Sequence, residues 1–162
     1  MKDVTPSQNS SKARLAHWLA LWFGSGLIRP APGTWGSLAA LPPAAALAWL
    51  FGWPGLLVGI AVLFPVGLWA IGSYMQAAGE HDPKEVVIDE VAGQWLALLP
   101  VATLWELYPA AFLLFRFFDI VKPWPASWAD RRLAGPLGVM MDDLFAGGYS
   151  LIICLGITLL LG

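Results

Sequence analysis

The stretch that decides the fold is PAPGTWGSLAALPPAAALAWLFGWPGLLVGIAVLFPVGLWAIGSYMQAAG, residues 30–79, which contains no charged side chain. Built as one helix, these fifty residues would extend about 75 Å, whereas the hydrocarbon core of a bilayer is about 30 Å thick. The chain must therefore turn back, and the glycines and proline of residues 52–55 mark the turn. The pattern predicts a helical hairpin, with one helix near residues 37–51 and a second near 56–76.

Two further apolar segments follow this hairpin. Residues 144–162 are uncharged and long enough to form a last membrane span. Residues 91–118 are also apolar, but Glu106 and Pro109 interrupt them. Because a proline and a nearby carboxylate suit a turn at the membrane interface, a short hairpin fits this segment better than a single span. We expect two arms of about 22 Å each, in a re-entrant or tightly packed hairpin.

The composition of the whole chain also indicates a membrane protein. Of its 162 residues, 58% are hydrophobic and 12% are charged, and the mean hydropathy is +0.67. Average soluble proteins carry about 25% charged residues, so both a disordered chain and an ordinary soluble domain are disfavoured. The formal net charge of −2 and the absence of a basic face in the sequence argue against a nucleic-acid partner.

The N-terminal segment precedes the membrane domain. Residues 1–14 are polar and are predicted to form a disordered tail, whereas residues 15–162 are predicted to form a single helical membrane domain. Residues 15–23 follow two basic side chains and resemble the core of a signal peptide. An interfacial helix ending at Gly24 is the preferred interpretation, because a marked motif begins only a few residues later.

The charged residues are grouped in a way that predicts the topology. Most of them lie in three clusters, residues 80–90, 116–132 and 142–143, and one hairpin separates the first two. All polar segments are therefore expected on one membrane face, and the positive-inside rule makes that face cytoplasmic. The basic residues on this face are Lys12, Arg14, Arg29, Lys122, Arg131 and Arg132. The predicted fold class is all-α, a multi-helix integral membrane bundle with its polar loops gathered on the cytoplasmic face.

The first cluster contains two pairs of candidate acids. Asp82 precedes Pro83, and Glu85 follows three positions after Asp82, which is typical of the first turn of a helix with a capping box. Asp82 and Glu85 are therefore the weaker candidates for metal binding. Asp89 and Glu90 would lie two turns further along this helix among hydrophobic neighbours, where acids are costly and often functional. A solvated helix face is the alternative for this pair.

The second cluster places Arg116, Asp119 and Lys122 at intervals of three, on one face of a predicted helix. Arg116 and Asp119 could simply pair with each other. The alternative is a phosphate site, because two cations for one acid suit a bound phosphate better than a closed ion pair.

The third cluster, Asp142 and Asp143, stands at the predicted mouth of the last span. Two acids there could complement the helix dipole, but that gain is under about 1 kcal/mol. Such a gain is small compared with the cost of acids at a membrane, so a functional role is favoured.

A fourth motif precedes the first span. Gly33, Thr34 and Ser37 open a helix whose free N–H groups could bind an anion, and Arg29 is nearby. Ordinary capping of the helix by Thr34 or Ser37 is the alternative explanation.

These candidates together suggest phosphoryl transfer. Hard carboxylate ligands point to Mg²⁺ rather than zinc, and they are Asp89, Glu90, Asp119, Asp142 and Asp143. Carboxylate-held Mg²⁺ beside phosphate-binding cations is the minimal equipment for this chemistry, and a lipid with a phosphate headgroup is the natural substrate at a membrane face. The sequence lacks a Walker loop, a cysteine set before an arginine and a histidine set for phosphohistidine chemistry. Water is therefore the expected nucleophile.

The chain resembles the phosphatidylglycerophosphatase A family in four segments that occur in order. The segments are Gly33-Thr34-Trp35-Gly36-Ser37-Leu38, Val86-Val87-Ile88-Asp89-Glu90-Val91-Ala92-Gly93, Phe115-Arg116-Phe117-Phe118-Asp119-Ile120-Val121-Lys122-Pro123 and Gly138-Val139-Met140-Met141-Asp142-Asp143. The resemblance implies Mg²⁺-dependent removal of the terminal phosphate from phosphatidylglycerophosphate, which gives phosphatidylglycerol in the bacterial inner membrane. It also implies a mostly helical fold.

Two other functions compete with this one. A CDP-alcohol phosphotransferase also uses acids at the membrane face, but its D-G-x-x-A-R pattern is absent from the sequence. A small cation transporter or channel subunit would place its acids near the middle of the membrane, facing a pathway. Here the acids flank the apolar runs, which favours the phosphatase. The sequence gives no indication of the oligomeric state.

Overall fold

The computed structural model describes residues 11–80 and 83–161. Within these two ranges the regular structure is entirely helical and no strand is formed, which confirms the all-α prediction. The α-helices are α1 (Ser11–Ala20), α2 (Pro32–Ala39), α3 (Leu41–Ala78), α4 (Ile88–Leu98), α5 (Tyr108–Val121), α6 (Ala126–Arg132) and α7 (Gly135–Leu161). Short 3-10 turns precede α2 and separate α4 from α5.

The first hairpin lies within α3, where the chain reverses at Gly52. This residue has φ 65° and ψ −160°, a conformation open to glycine and strained for other residues. A Cβ atom at Gly59 would lie 3.2 Å from Cδ1 of Leu47, although a straight helix would separate these residues by about 18 Å. The predicted turn is therefore confirmed. The helix resumes directly after Gly52 rather than near residue 56.

The second hairpin is short, as predicted. Helix α4 has 11 residues and α5 has 14, which correspond to about 17 Å and 21 Å of helix. Neither arm alone matches the thickness of a bilayer core of about 30 Å. The turn between the arms is closed by the Tyr108 hydroxyl, which donates to the Ala102 carbonyl oxygen at 2.8 Å.

The last helix begins earlier than predicted. Helix α7 starts at Gly135, so Asp142 and Asp143 lie about two turns inside it rather than at its mouth. The alternative of simple dipole complementarity is therefore wrong for these acids, because the macrodipole acts mainly on the first turn. Stretches Pro32–Ala78 and Gly135–Leu161 are both long and apolar enough to cross a membrane.

Close packing joins α4 to α7 and α5. A Cβ atom at Gly93 would lie 2.6 Å from both the Asp143 carbonyl oxygen and the Phe115 ring, and a Cβ at Gly147 would meet the Gly93 carbonyl oxygen. Only glycine allows the three helices to approach so closely. This contact brings the acids of α4 and α7 to the same level of the molecule.

The N-terminal helix packs on α3. His17 stacks on Tyr74 with ring centroids 4.9 Å apart, while Trp18 remains exposed. Residues 11–14 are helical although the sequence analysis assigned them to the tail, and residues 1–10 lie outside the described part of the chain. The α-helix ends at Ala20, one turn before the predicted end at Gly24.

The predicted helix start at residues 82–85 is wrong for the part of it that the structure describes. Pro83 to Val87 are non-helical and α4 begins at Ile88, so Asp89 and Glu90 occupy its first turn. The cause is a long-range bond, since the Val87 N–H donates to the Ala20 carbonyl oxygen at 2.9 Å. Asp82 lies outside the described residues.

Candidate active site

The acids predicted to converge line one cavity with a volume of about 500 Å³. Its walls come from the start of α2, the first turn of α4, the end of α5, α6 and the first half of α7. The carboxylates in these walls are Asp89, Glu90, Asp119, Asp130, Asp142 and Asp143. The predicted convergence of acids from distant parts of the chain is confirmed.

Arg116 connects three helices on one side of the cavity. Its Nη1 contacts Oδ2 of Asp119 at 2.7 Å and Oε2 of Glu90, and it lies 3.3 Å from the Ser37 hydroxyl. The Ser37 Oγ in turn lies 2.8 Å from both Glu90 Oε2 and the Gly33 carbonyl oxygen. The Arg116–Asp119 pair is thus confirmed, but as part of a larger network that includes the start of the first hairpin.

Gly33 leaves room for the Glu90 carboxylate of this network. A Cβ atom at position 33 would overlap the carboxylate of Glu90, so only glycine permits the observed approach. Burial raises the pKa of Glu90 to about 7, although Arg116 and the Ser37 hydroxyl act in the opposite direction.

Lys122 lies on the opposite side of the cavity and forms ion pairs with two acids. It follows α5 in a left-handed conformation with φ 47°, and its Nζ donates to Asp130 Oδ1 at 2.8 Å and to Asp142 Oδ2 at 2.6 Å. Burial alone would lower the pKa of Lys122, but the two carboxylates outweigh it and raise the pKa. The other oxygen of Asp142 accepts the backbone N–H of Asp143 at 3.0 Å.

Two carboxylate oxygens of the cavity are buried without a hydrogen-bond partner among the described residues. They are Oδ1 of Asp89 and Oδ2 of Asp143. Burial, and then repulsion by Glu90 and Asp142, raises the pKa of Asp89 well above its ordinary value. Unsatisfied buried oxygens cost free energy and call for an explanation such as a bound ion.

Acids outnumber cations in this cavity. Its lining contains six carboxylates and three cations, so its formal charge is −3 with every group ionised. The ratio of two cations to one acid on α5 therefore does not hold for the cavity as a whole. Helices α4, α6 and α7 add five acids, and among these only Asp130 is not one of the acids predicted to converge.

Most of the chain is similar to a family of known proteins. The profile of the family described as Phosphatidylglycerophosphatase A matches residues 18–158. The chain belongs to this family. It is 39% identical over 158 residues to the Haemophilus influenzae Phosphatidylglycerophosphatase A, with 97% of each chain covered. It is 38% identical over 152 residues to the Escherichia coli protein of the same name, with 92% of this chain and 86% of that one covered.

A third relative carries a different name. The chain is 44% identical over 138 residues to a Bacteroides thetaiotaomicron protein named, provisionally, a phosphatidylinositol-3-phosphatase, with 81% of this chain and 86% of that one covered. No solved structure matches the chain significantly. The resemblance described from the sequence is confirmed, and this phosphatidylglycerophosphatase A family member is an enzyme of the phosphatase class.

The carboxylate oxygens that line the cavity are suited to bind a hard divalent cation. Six carboxylates, two of them with unpartnered buried oxygens, surround a cavity with excess negative charge. Oxygen ligands of this kind are those that Mg²⁺ prefers. The fit is one of chemistry rather than of a formed site: among residues 11–80 and 83–161, no three His, Cys, Asp or Glu side chains are spaced as ligands of one ion, so the carboxylates would have to move closer together to hold it.

Some predicted residues lie elsewhere. Arg29 and Glu85 form an ion pair of 2.8 Å at the surface, and neither side chain is part of the cavity lining. Thr34 is also outside the lining, whereas Gly33 is within it. The phosphate-binding role of Arg29 and Thr34 and the metal-binding role of Glu85 therefore gain no support from the geometry, because each would need to face the cavity.

Sequence reasoning missed two charged lining residues, Asp130 and Lys84. Asp130 reaches the site because the chain turns after Lys122 and α6 returns toward it. Lys84 belongs to the non-helical segment that sequence reasoning assigned to a helix. No local spacing signal distinguishes either residue.

Proposed function

We propose that this enzyme hydrolyses the terminal phosphomonoester of phosphatidylglycerophosphate, which yields phosphatidylglycerol and inorganic phosphate. The proposal is supported by the names of two relatives that match nearly the whole chain. The observation that carries it is the convergence of acids from α4, α5 and α7 with Arg116 and Lys122 in one cavity. A cation transporter is not favoured, because the chain belongs to a phosphatase family.

Mg²⁺ is the cofactor in this proposal. Asp89, Glu90, Asp119, Asp142 and Asp143 would hold it, and the best placed are Asp89 and Asp143, whose buried oxygens have no partner among the described residues. The ion would supply positive charge to the phosphoryl oxygens in a cavity whose own formal charge is −3. Without such a charge, a phosphate dianion entering this cavity would be repelled.

The protein side chains have separate roles in this proposal. Arg116 orients the phosphate, and Glu90, Asp119 and Ser37 orient Arg116. Lys122 neutralises charge on the opposite side, beside Asp142.

Hydrolysis requires one water molecule and the transfer of its protons. The water oxygen attacks phosphorus, the bond between phosphorus and the glycerol oxygen breaks, and that oxygen takes up a proton as it leaves. Asp89 Oδ1, which is buried and unpartnered among the described residues, is our candidate for the atom that accepts the proton of the attacking water.

We also propose that the chain crosses the bacterial inner membrane several times, with the cavity at the cytoplasmic face. Two stretches of membrane length and the bacterial origin of the relatives support this placement. Large apolar side chains that are mostly exposed also support it, such as Trp49 at 85% and Leu160 at 89% exposure. The basic residues beside the polar segments support this orientation.

The test is phosphate release from phosphatidylglycerophosphate by the protein purified in an uncharged detergent. We expect release that requires Mg²⁺, stops with EDTA, and falls by at least about a hundredfold in Asp89→Asn. Phosphatidylinositol 3-phosphate, assayed in parallel, measures the preference for the headgroup. An inactive wild-type protein that conducts cations in liposomes would overturn the proposal.

A further inference from the structure

We propose that Lys84 binds the phosphodiester of the lipid substrate at the mouth of the cavity. Its role is to select lipids whose phosphomonoester is carried on a headgroup joined by a second, bridging phosphate. This inference rests on the function proposed above and adds a specificity-determining residue to it.

Lys84 differs from the other cations of the cavity in its partners. Arg116 is held by Glu90 and Asp119, and Lys122 is held by Asp130 and Asp142. Lys84 also lines the cavity, but it forms no ion pair with any residue in the described ranges. It is therefore the lining cation that a ligand can engage without first displacing a described carboxylate.

Lys84 lies in the outer part of the cavity. Its side chain is exposed, whereas Asp142 and Asp143 are only 6% and 3% exposed. The backbone around it is anchored, because Pro83 is fully buried and the Val86 N–H donates to the Pro83 carbonyl oxygen at 3.0 Å. A flexible ammonium on an anchored turn can meet a charged group at the cavity entrance.

The substrate places its two phosphates in a defined order. Phosphatidylglycerophosphate carries a terminal monoester and, across one glycerol, a diester attached to the diacylglycerol. When the monoester reaches the buried acids, the diester must lie toward the membrane-anchored end, which is the entrance. The diester is an anion next to a cavity lined by six carboxylates, so it needs a nearby cation, and Lys84 is the lining cation that has no described carboxylate as partner.

The experiment separates the two phosphates by using two inhibitors. Phosphatidylglycerol carries the diester alone, and inorganic phosphate mimics the monoester alone. Steady-state hydrolysis of phosphatidylglycerophosphate in uncharged mixed micelles is measured with each inhibitor for wild type, Lys84→Gln and Lys84→Arg. Arg132→Gln is the matched control, because it removes one exposed positive charge from a residue outside the cavity lining.

We expect Lys84→Gln to raise KM and the inhibition constant of phosphatidylglycerol about tenfold, as for loss of one charge-assisted hydrogen bond. Its kcat and its inhibition by phosphate should stay within about twofold of wild type. Lys84→Arg should behave like wild type, because it keeps the charge.

Three results would overturn this inference: an unchanged KM in Lys84→Gln, an equal weakening of both inhibitors, or an equal effect of Arg132→Gln. A wild-type enzyme that phosphatidylglycerol does not inhibit would also overturn it. A wild-type protein that releases no phosphate from phosphatidylglycerophosphate would instead refute the proposed function itself.

Discussion

The Nη1 atom of Arg116 lies 3.3 Å from the hydroxyl oxygen of Ser37, although the two residues are 79 positions apart in the chain. Both contact the same Oε2 of Glu90. The start of the first hairpin is therefore tied to the end of the second through one carboxylate. Because the guanidinium has few alternative positions in such a network, its orientation toward the cavity depends in part on Ser37, which does not itself line the cavity.

Ser37→Ala tests this dependence. We expect kcat/KM to fall about tenfold, since a hydrogen bond to a charged group contributes about 1.5–3 kcal/mol and its loss frees Arg116 to move. Unfolding temperature in detergent should fall modestly, because the folded state loses the same hydrogen bond. Ser150→Ala is the matched control, because Ser150 is also buried but donates to Ala146 of its own helix at 3.0 Å. Equal activity in the two variants would show that Ser37 does not position Arg116.

Gly33→Ala tests the same network at the Glu90 carboxylate. The added Cβ would overlap the Glu90 carboxylate, so that side chain must shift and carry Arg116 with it. We expect a loss of kcat of at least about tenfold, with a KM that also rises.

Gly156→Ala serves as the control for replacing a helical glycine. No atom lies within 4 Å of a Cβ at that position, and alanine favours the helix by about 0.5–1 kcal/mol. The control should therefore unfold at an equal or higher temperature and keep its activity. Full activity in Gly33→Ala would refute the close contact with Glu90.

Gly147→Ala tests the packing that brings α4 to α7. A Cβ at this position would meet the Gly93 backbone, and overpacking of this kind costs about 1–3 kcal/mol. We expect a lower unfolding temperature in detergent and reduced activity.

The neighbouring Gly148→Ala variant is a close control, because a Cβ at position 148 meets nothing within 4 Å. It should unfold at an equal or higher temperature than wild type and keep its activity. If the two variants behave alike, the contact between Gly93 and Gly147 does not hold the helices together.

Much of the fold follows from length and charge alone. An uncharged run longer than a bilayer must reverse, and Gly52 is the residue that permits the reversal. The start of α4 could not be predicted in this way. Asp82, Pro83 and Glu85 have the local pattern of a helix start, but the bond from Val87 to the Ala20 carbonyl holds the segment out of the helix. Such a bond joins distant parts of the chain and leaves no periodic signal.

In the site, too, contacts within one helix could be predicted from the sequence and contacts between helices could not. Arg116 and Asp119 pair as their spacing of three indicates. The partners of Lys122 could not be inferred, because Asp130 and Asp142 reach it only after α6 and α7 have packed. For this reason the ratio of two cations to one acid on α5 does not describe the folded cavity, which has excess acids.

Asp143→Asn tests whether this excess of acid serves a cation. Asp143 Oδ2 is buried and unpartnered among the described residues, and it shares the cavity with five other carboxylates. Removing its charge relieves repulsion, so in EDTA the variant should unfold at a higher temperature than wild type, by about 2–4 °C for each kcal/mol relieved.

Addition of Mg²⁺ should reverse this order. A ligand that binds the folded state raises the unfolding temperature, so Mg²⁺ should stabilise wild type and have little effect on Asp143→Asn, which should also lose activity. Glu106→Gln is the control, because Glu106 is exposed on the turn between α4 and α5 and does not line the cavity. It should respond to Mg²⁺ like wild type. Equal stabilisation of Asp143→Asn by Mg²⁺ would mean that the unpartnered oxygen is not a ligand, and that the repulsion among the acids is balanced by another group.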